Sequence, residues 1–343
     1  MTITVKARAP LRLGLAGGGT DVSPYCDKYG GYVLNATIDR YAYAVIETLD
    51  SEKIFFSATD LLTEVTMSSK EHLVIEGDLM LHKAVYKHMV QHFNGGKAIP
   101  LKLTTFCDAP AGSGLGSSST LVVTMIRAFV ELLNLPMDDY AMAQLAYKIE
   151  RIDCGLQGGR QDQYSATFGG FNFMEFYENE RAIINPLRIK NWILCELEAS
   201  LVLFFMGISR ESARIIIDQS NSLKAGSTGA LAAMHGIKHE ALVMKEALLR
   251  GDFSGFVDSM RLGWESKKLS AKTVSNPHID EIYDTAINAG ALAGKVSGAG
   301  GGGFMLFFVS TARRMELIHT LNTFPGQVSN CHFTKSGTQA WRV

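Results

Sequence analysis

PAGSGLGSSS, residues 110–119, runs directly into an apolar stretch at 120–133, and the reading of this junction decides the fold. Gly112, Gly114 and Gly116 permit backbone conformations that side chains forbid, so successive N–H groups can converge on one anion. A helix over the apolar stretch would turn its N-terminus toward the same point, adding unpaired donors and a partial positive charge. Ser117, Ser118 and Ser119 bring hydroxyls that can cap the helix, donate to phosphate oxygens or ligate a magnesium ion. Alone, the segment also fits a glycine-rich turn before a buried helix. The remaining sequence separates the two readings.

At 343 residues the chain has the length of about two domains with sizeable cores. A hydrophobic content of 47%, a charged content of 20% and a formal net charge of -1 exclude a disordered chain and a general nucleic-acid footprint, so any anion site must be local. Residues 1–10 carry Lys6 and Arg8 within an alternating pattern and lack the long apolar core of a signal peptide. No apolar run reaches membrane-spanning length, and 201–208 is strand-sized. Five cysteines without CxxC spacing suit a reduced cytoplasm, where they read as isolated and mostly buried thiols.

Alternation of Val5, Ala7 and Ala9 with Thr4, Lys6 and Arg8 predicts a half-buried opening strand closed by Pro10. Further strands are expected at 32–47, 53–57, 101–107 and 170–176, and a helix at 79–93. The helix behind the glycine loop is apolar on nearly every side, with only Arg127 and Glu131 charged, and should be central in its domain until Asn134 and Pro136 stop it. Asp138 is placed to cap a further helix reaching 152. The polar stretch 177–190 is the best boundary, dividing the chain into 1–188 and 189–343. Beyond it, 192–205 has a strand pattern, helices are expected at 209–220, 231–250, 253–270, 279–289 and 312–321, and strands at 304–309 and 338–343. The residues alone therefore indicate a mixed chain of strands and helices in two domains.

No GxxxxGK[ST] sequence is present, which argues against a Walker-type NTPase. Residues 298–303 match GxGxxG, but a dinucleotide fingerprint precedes a helix, whereas FMLFF at 304–308 reads as a strand. That loop reads instead as backbone pressed against a ligand or the other domain, or as a tight hairpin. Three segments now stand in order: APLRLGLAGGGTD at 9–21, the glycine loop at 110–119, and KVSGAGGGG at 295–303. Together they resemble the GHMP small-molecule kinase superfamily of galactokinase, homoserine kinase, mevalonate kinase and phosphomevalonate kinase, over essentially the full chain. The GGGTD form, the QDQ of 161–163 and the four glycines of the third segment look closest to the branch that acts on D-glycero-D-manno-heptose 7-phosphate. Fucokinase-type enzymes share much of the pattern.

The resemblance implies an α+β, two-domain GHMP kinase fold, with an N-terminal ribosomal-S5-domain-2-like domain, a C-terminal ferredoxin-like domain and the active site in the cleft. It implies ATP and Mg2+ as cofactors and a small-molecule sugar phosphate as partner, with phosphoryl transfer to the anomeric C1 hydroxyl. An unphosphorylated sugar, a non-sugar alcohol and a catalytically inactive sugar-binding regulator are the alternatives. Pro110, Ala111, Gly112, Ser113, Gly114, Leu115, Gly116, Ser117, Ser118 and Ser119 would hold the nucleotide. By the same resemblance Asp162 is the base near the acceptor hydroxyl and Arg12 its cationic neighbour, while Ser118 and Glu150 hold the metal. The interval from Glu150 to Asp162 is one residue longer than in the mevalonate kinase pattern. Gly19, Thr20, Asp21, Gly300 and Gly301 are expected at the substrate, and Arg160 and Arg210 are candidate cations for its distal phosphate. No nucleic-acid or membrane partner is expected, the location implied is the cytoplasm, and a homodimer is left open.

Overall fold

The computed structural model describes residues 2–207 and 212–343. A first sheet takes in β1 (Thr4–Ala16), β2 (Gly31–Thr48), β3 (Lys53–Ala58), β4 (Thr63–Ser68), β5 (Leu101–Cys107), β6 (Phe171–Phe176) and β7 (Ala182–Pro186). A second has four strands, β8 (Leu201–Phe205), β9 (Ala291–Val296), β10 (Phe304–Val309) and β11 (Gln327–Ser329), in the order β11-β8-β10-β9. The last strand, β12 (Gln339–Arg342), crosses back to pair with β1, so the first sheet runs β12-β1-β2-β5-β3-β4. Long β2 serves two neighbours: residues 31–36 pair with β6, and residues 42–48 with β5.

Five helices accompany the first sheet: α1 (Tyr25–Tyr29), α2 (Met80–Phe93), α3 (Ser117–Leu133), α4 (Asp139–Tyr147) and α5 (Gln161–Phe168). Then come α6 (Asn191–Ser200), α7 (Ser212–Lys224), α8 (Thr228–Arg250), α9 (Phe253–Ser270), α10 (Pro277–Asn288) and α11 (Arg314–Leu321). The fold is α+β, as the sequence implies. Val122, Ile126 and Phe129 of α3 pack with Val85 and Met89 of α2 against Val5, Ala7, Ala44 and Ile46 of the sheet. The expectation that α3 is central therefore holds.

The register between β1 and β2 shifts between Pro10 and Arg12, where residues 38–40 of β2 are the extra ones. Before it, Val5, Ala7 and Ala9 belong to the α2–α3 core; after it, Leu11, Leu13 and Leu15 belong to a second core with Met244 of α8, Leu203 of β8 and Leu306 of β10. One strand thus joins both cores. Arg12 sits at that point.

Two expectations are corrected. The segment 192–205 is α6 followed by β8: Ile193, Leu197 and Ser200 are buried at helical spacing, and only the continuous apolar run after them is strand. The polar stretch 177–190 also holds β7, which pairs with β6. Asp138 does cap α4, accepting from the Ala141 N–H at 2.8 Å, but the helix widens into a π turn over Lys148–Asp153. Among the described residues no helix is long and apolar enough to cross a membrane.

Phe129 is fully buried at the centre of the α2–α3 core. Phe129→Ala should lower unfolding free energy by roughly 3–5 kcal/mol, read as a shift in denaturant midpoint. A loss below about 1 kcal/mol would mean that α3 is not the centre of this core.

Candidate active site

In the glycine loop, Gly112, Gly114 and Gly116 have φ of 73, 82 and 77 degrees, the left-handed region that L side chains avoid. Gly116 is itself the N-cap of α3, with no side-chain cap, so the three serines form the first turn of the helix and do not cap it. Their N–H groups lack carbonyl partners within the helix and face an anion site. Their hydroxyls are directed elsewhere: Ser118 donates to Glu150 Oε1 at 2.9 Å, and Ser119 to Glu150 Oε2 at 2.6 Å.

The third glycine segment closes on this loop. Phe304 N–H donates to the Ser113 carbonyl at 2.9 Å, and Ser297 Oγ to the Gly114 carbonyl at 3.0 Å. A Cβ on Gly114 would stand 2.3 Å from the Ser297 carbonyl oxygen. The first segment meets the same atom, because Arg12 Nη1 donates to the Gly114 carbonyl at 2.6 Å.

QDQ occupies the first turn of α5, where consecutive side chains diverge by about 100 degrees and so reach three different partners. Gln161 donates through Nε2 to Asp21 Oδ1 at 3.2 Å. Asp162 accepts from Arg12 Nε at 2.7 Å, with Arg12 Nη2 at 2.7 Å from the same oxygen. Gln163 Nε2 donates to Glu150 Oε2 at 2.7 Å. The carboxylate of Asp162 also lies against Gly116, where a Cβ would meet its Oδ2 at 3.2 Å. Arg12 and Asp162 are therefore paired directly beside the glycine loop.

Glu150 is 1% exposed and carries donors from Ser118, Ser119 and Gln163, with Arg151 Nη1 3.4 Å from Oε1. It sits in the π turn, which holds one residue more than an α turn. A carboxylate and a hydroxyl in contact at the mouth of an anion site form an oxygen donor set suited to a hard cation.

Several expected residues have other partners. Thr20 is fully buried and its hydroxyl is bonded to the Gly17 and Tyr32 carbonyls and the Tyr32 N–H, so it closes its own loop and does not line the cleft. Asp21 does reach the cleft with Gly19, but its carboxylate accepts from the N–H groups of Gly19, Arg160 and Gln161 and from Gln161 Nε2. It anchors the start of α5. Gly300 and Gly301 face Val274, and the cleft is lined instead by Gly298 and Ala299. Arg160 turns inward to the Tyr177 carbonyl and Asp27 and is not on the cleft wall. Arg210 lies outside the described residues.

Other cleft residues escaped the sequence reading. Arg151 contacts Ser119 Oγ and the Gln157 carbonyl, each at 3.3 Å. Lys267 of α9 donates to the Gly18 carbonyl at 2.6 Å, and burial pushes its ammonium down to about 8, Asp21 opposing and Arg12 adding to the shift. Behind this lining, Lys295 of β9, the first residue of the third glycine segment, donates to the Gly14 and Leu15 carbonyls at 2.7 and 2.9 Å; burial, then Lys267 and Arg12, push it down to about 7. Residues 213, 216 and 219, on one face of α7, complete a cleft of about 620 Å³.

The model of the GHMP kinases N terminal domain matches residues 80–170, and that of the GHMP kinases C terminal domain matches 244–324. The chain belongs to the GHMP kinases. This kinase is 50% identical over 340 residues to the D-glycero-alpha-D-manno-heptose 7-phosphate kinase of Campylobacter jejuni, with 99% of each chain covered. A solved structure titled as a D-glycero-D-manno-heptose 1-phosphate kinase from Bacteriodes thetaiotaomicron superposes with a TM-score of 0.83 at 44% identity, covering 99% of both chains. The L-fucokinase/L-fucose-1-P guanylyltransferase of Bacteroides fragilis is 26% identical over 328 residues, 88% of this chain and 34% of that longer protein. As a GHMP kinase, the protein is an ATP-dependent phosphotransferase.

Gly114→Ala would combine an unfavourable φ with a collision against Ser297, so the loop must move. Phosphoryl transfer should fall at least tenfold with a raised KM for ATP, while the melting temperature changes by only a few degrees. Unchanged steady-state kinetics would show that the loop tolerates displacement.

Proposed function

We propose that this GHMP kinase transfers the γ-phosphoryl group of ATP to the anomeric C1 hydroxyl of D-glycero-D-manno-heptose 7-phosphate, giving the 1,7-bisphosphate. The observation that carries the chemistry is the Arg12–Asp162 pair lying against Gly114 and Gly116 of the anion loop. The substrate rests on the full-length Campylobacter jejuni relative and its printed name. The division near residue 188 and a cytoplasmic location belong to the same reading.

In this mechanism the acceptor hydroxyl lies beside Asp162. Its oxygen bonds to the γ-phosphorus, its proton passes to the Asp162 carboxylate, and the bond from phosphorus to the ADP oxygen breaks. Arg12 fixes the orientation of the carboxylate and stabilises charge that develops between it and the loop. The turn at 112–119 receives the phosphates. Glu150 and Ser118 would hold magnesium, with Ser119 and Gln163 orienting the carboxylate from behind. When bound, that ion neutralises phosphate charge.

Asp162→Asn should lower kcat by roughly 10² to 10⁴ with ATP binding retained, the usual span for losing a general base. Near-normal turnover would remove Asp162 from the proton transfer. The substrate is tested by ATP- and magnesium-dependent phosphorylation of heptose 7-phosphate, unphosphorylated heptose, fucose, galactose and mevalonate, with the new phosphate located by NMR. Selective formation of the 1,7-bisphosphate is expected. Preference for a free sugar such as fucose would replace the substrate and keep the chemistry, and nucleotide binding without turnover of any acceptor would favour a sugar-binding regulator.

A further inference from the structure

Contacts arrange the cleft in a fixed order. Gly114 and Gly116 touch Arg12 and Asp162, and Gln161 beside Asp162 bonds Asp21. The Gly18–Gly19 backbone then lies against Lys267 and Gln219: a Cβ on Gly19 would stand 3.5 Å from Lys267 Nζ and 3.4 Å from Gln219 Oε1. From the glycine loop the lining therefore passes through the Arg12–Asp162 pair to Gln161 and Asp21 and on to the Gly18–Gly19 backbone beside Lys267. Among the described residues three cations line the cleft: Arg12, Arg151 and Lys267. Arg12 is bound to Asp162 and Gly114. Arg151 serves the Glu150 and Ser119 end.

Lys267 alone of these three lies against the Gly18–Gly19 backbone. It is 6% exposed, in the last turn of α9, yet its ammonium has three donors, and among the described residues one acceptor, the Gly18 carbonyl, lies within hydrogen-bond distance. A buried ammonium left with free donors is costly unless something else accepts from it. Asp21, the nearest carboxylate acting on its charge, already accepts four N–H groups. Backbone carbonyls are poor compensation for a full positive charge, and an anionic ligand would supply it.

We propose that Lys267 is a specificity-determining residue of the acceptor site, donating from its Nζ to the distal phosphate of the sugar phosphate while the reacting hydroxyl lies at Asp162. The inference rests on the heptose 7-phosphate reading and adds the residue that recognises the phosphate. It replaces Arg160, whose guanidinium is turned away from the cleft. Lys267 touches substrate remote from the reacting atoms, so its contribution appears in discrimination between phosphorylated and free sugar.

The test compares kcat/KM for heptose 7-phosphate with that for unphosphorylated heptose in the full-length wild type, Lys267→Gln and Lys267→Arg. Affinity for a non-hydrolysable ATP analogue serves as the check of folding. Wild type should prefer the phosphorylated sugar, the glutamine variant should lose about tenfold to a hundredfold of that preference, and the arginine variant should retain more of it. Undiminished preference in Lys267→Gln overturns the inference while leaving the substrate reading intact. Equal loss in both variants assigns Lys267 a packing role and also overturns it. A wild type without preference sinks the heptose 7-phosphate reading itself, and the inference with it. If the glutamine variant fails to bind the nucleotide analogue, the arginine variant decides: with the charge kept, it must prefer the phosphorylated sugar.

Discussion

One carbonyl oxygen, that of Gly114, ties the site together. It accepts from Arg12 on β1, 102 residues before it, and from Ser297 beyond β9, 183 residues after it, so distant segments converge on a single acceptor. A backbone carbonyl has two lone pairs, and both are used. The arrangement tolerates no side chain at 114, because the approach of Ser297 leaves no room for a Cβ. Position of the anion loop, orientation of Arg12 and closure of the third glycine segment are therefore one constraint.

Around that point the structure buries charges of both signs. Arg12, Asp162, Asp21, Glu150, Lys267 and Lys295 are all largely inaccessible, and moving each out of water costs several kcal/mol before pairing. A fold selected for stability alone has little use for such a cluster. Asp21 is held by N–H donors at the first turn of α5, and Glu150 by the serine hydroxyls of α3. The two lysines have weaker compensation, backbone carbonyls, and their lowered proton affinity reflects it.

The anion loop, α3, α9 and the long strand β2 were legible in the sequence because their signals are local: alternating glycines, apolar periodicity, a capping aspartate. The α6–β8 step was not, since Glu196, Glu198 and Ser200 alternate with Cys195, Leu197 and Ala199, a strand-like period in residues that fold as the end of a helix. Within the loops, motifs located the right segments but not their orientation. Thr20 and Gly301 lie within a few residues of cleft-lining positions and face the other way. Arg160 read as a free cation, and only the fold brought Tyr177 and Asp27 to it. Lys267 gave no signal at all, because its partner Gly18 is 249 positions away.

The return of β12 to β1 gives the first sheet an unusual dependence in time. Arg8 pairs with Gln339 across almost the whole chain, and Phe333 bridges Ile38 just before it. During synthesis, β1 would keep an open edge until β12 had emerged. Such distant pairing slows folding, because the loop must close before its contacts stabilise anything. A fragment ending near residue 188 would carry that open edge permanently, exposing unpaired N–H and C=O groups of β1 to other chains. The first sheet is thus completed by β12, and a cut between β7 and β12 would yield a piece prone to aggregate.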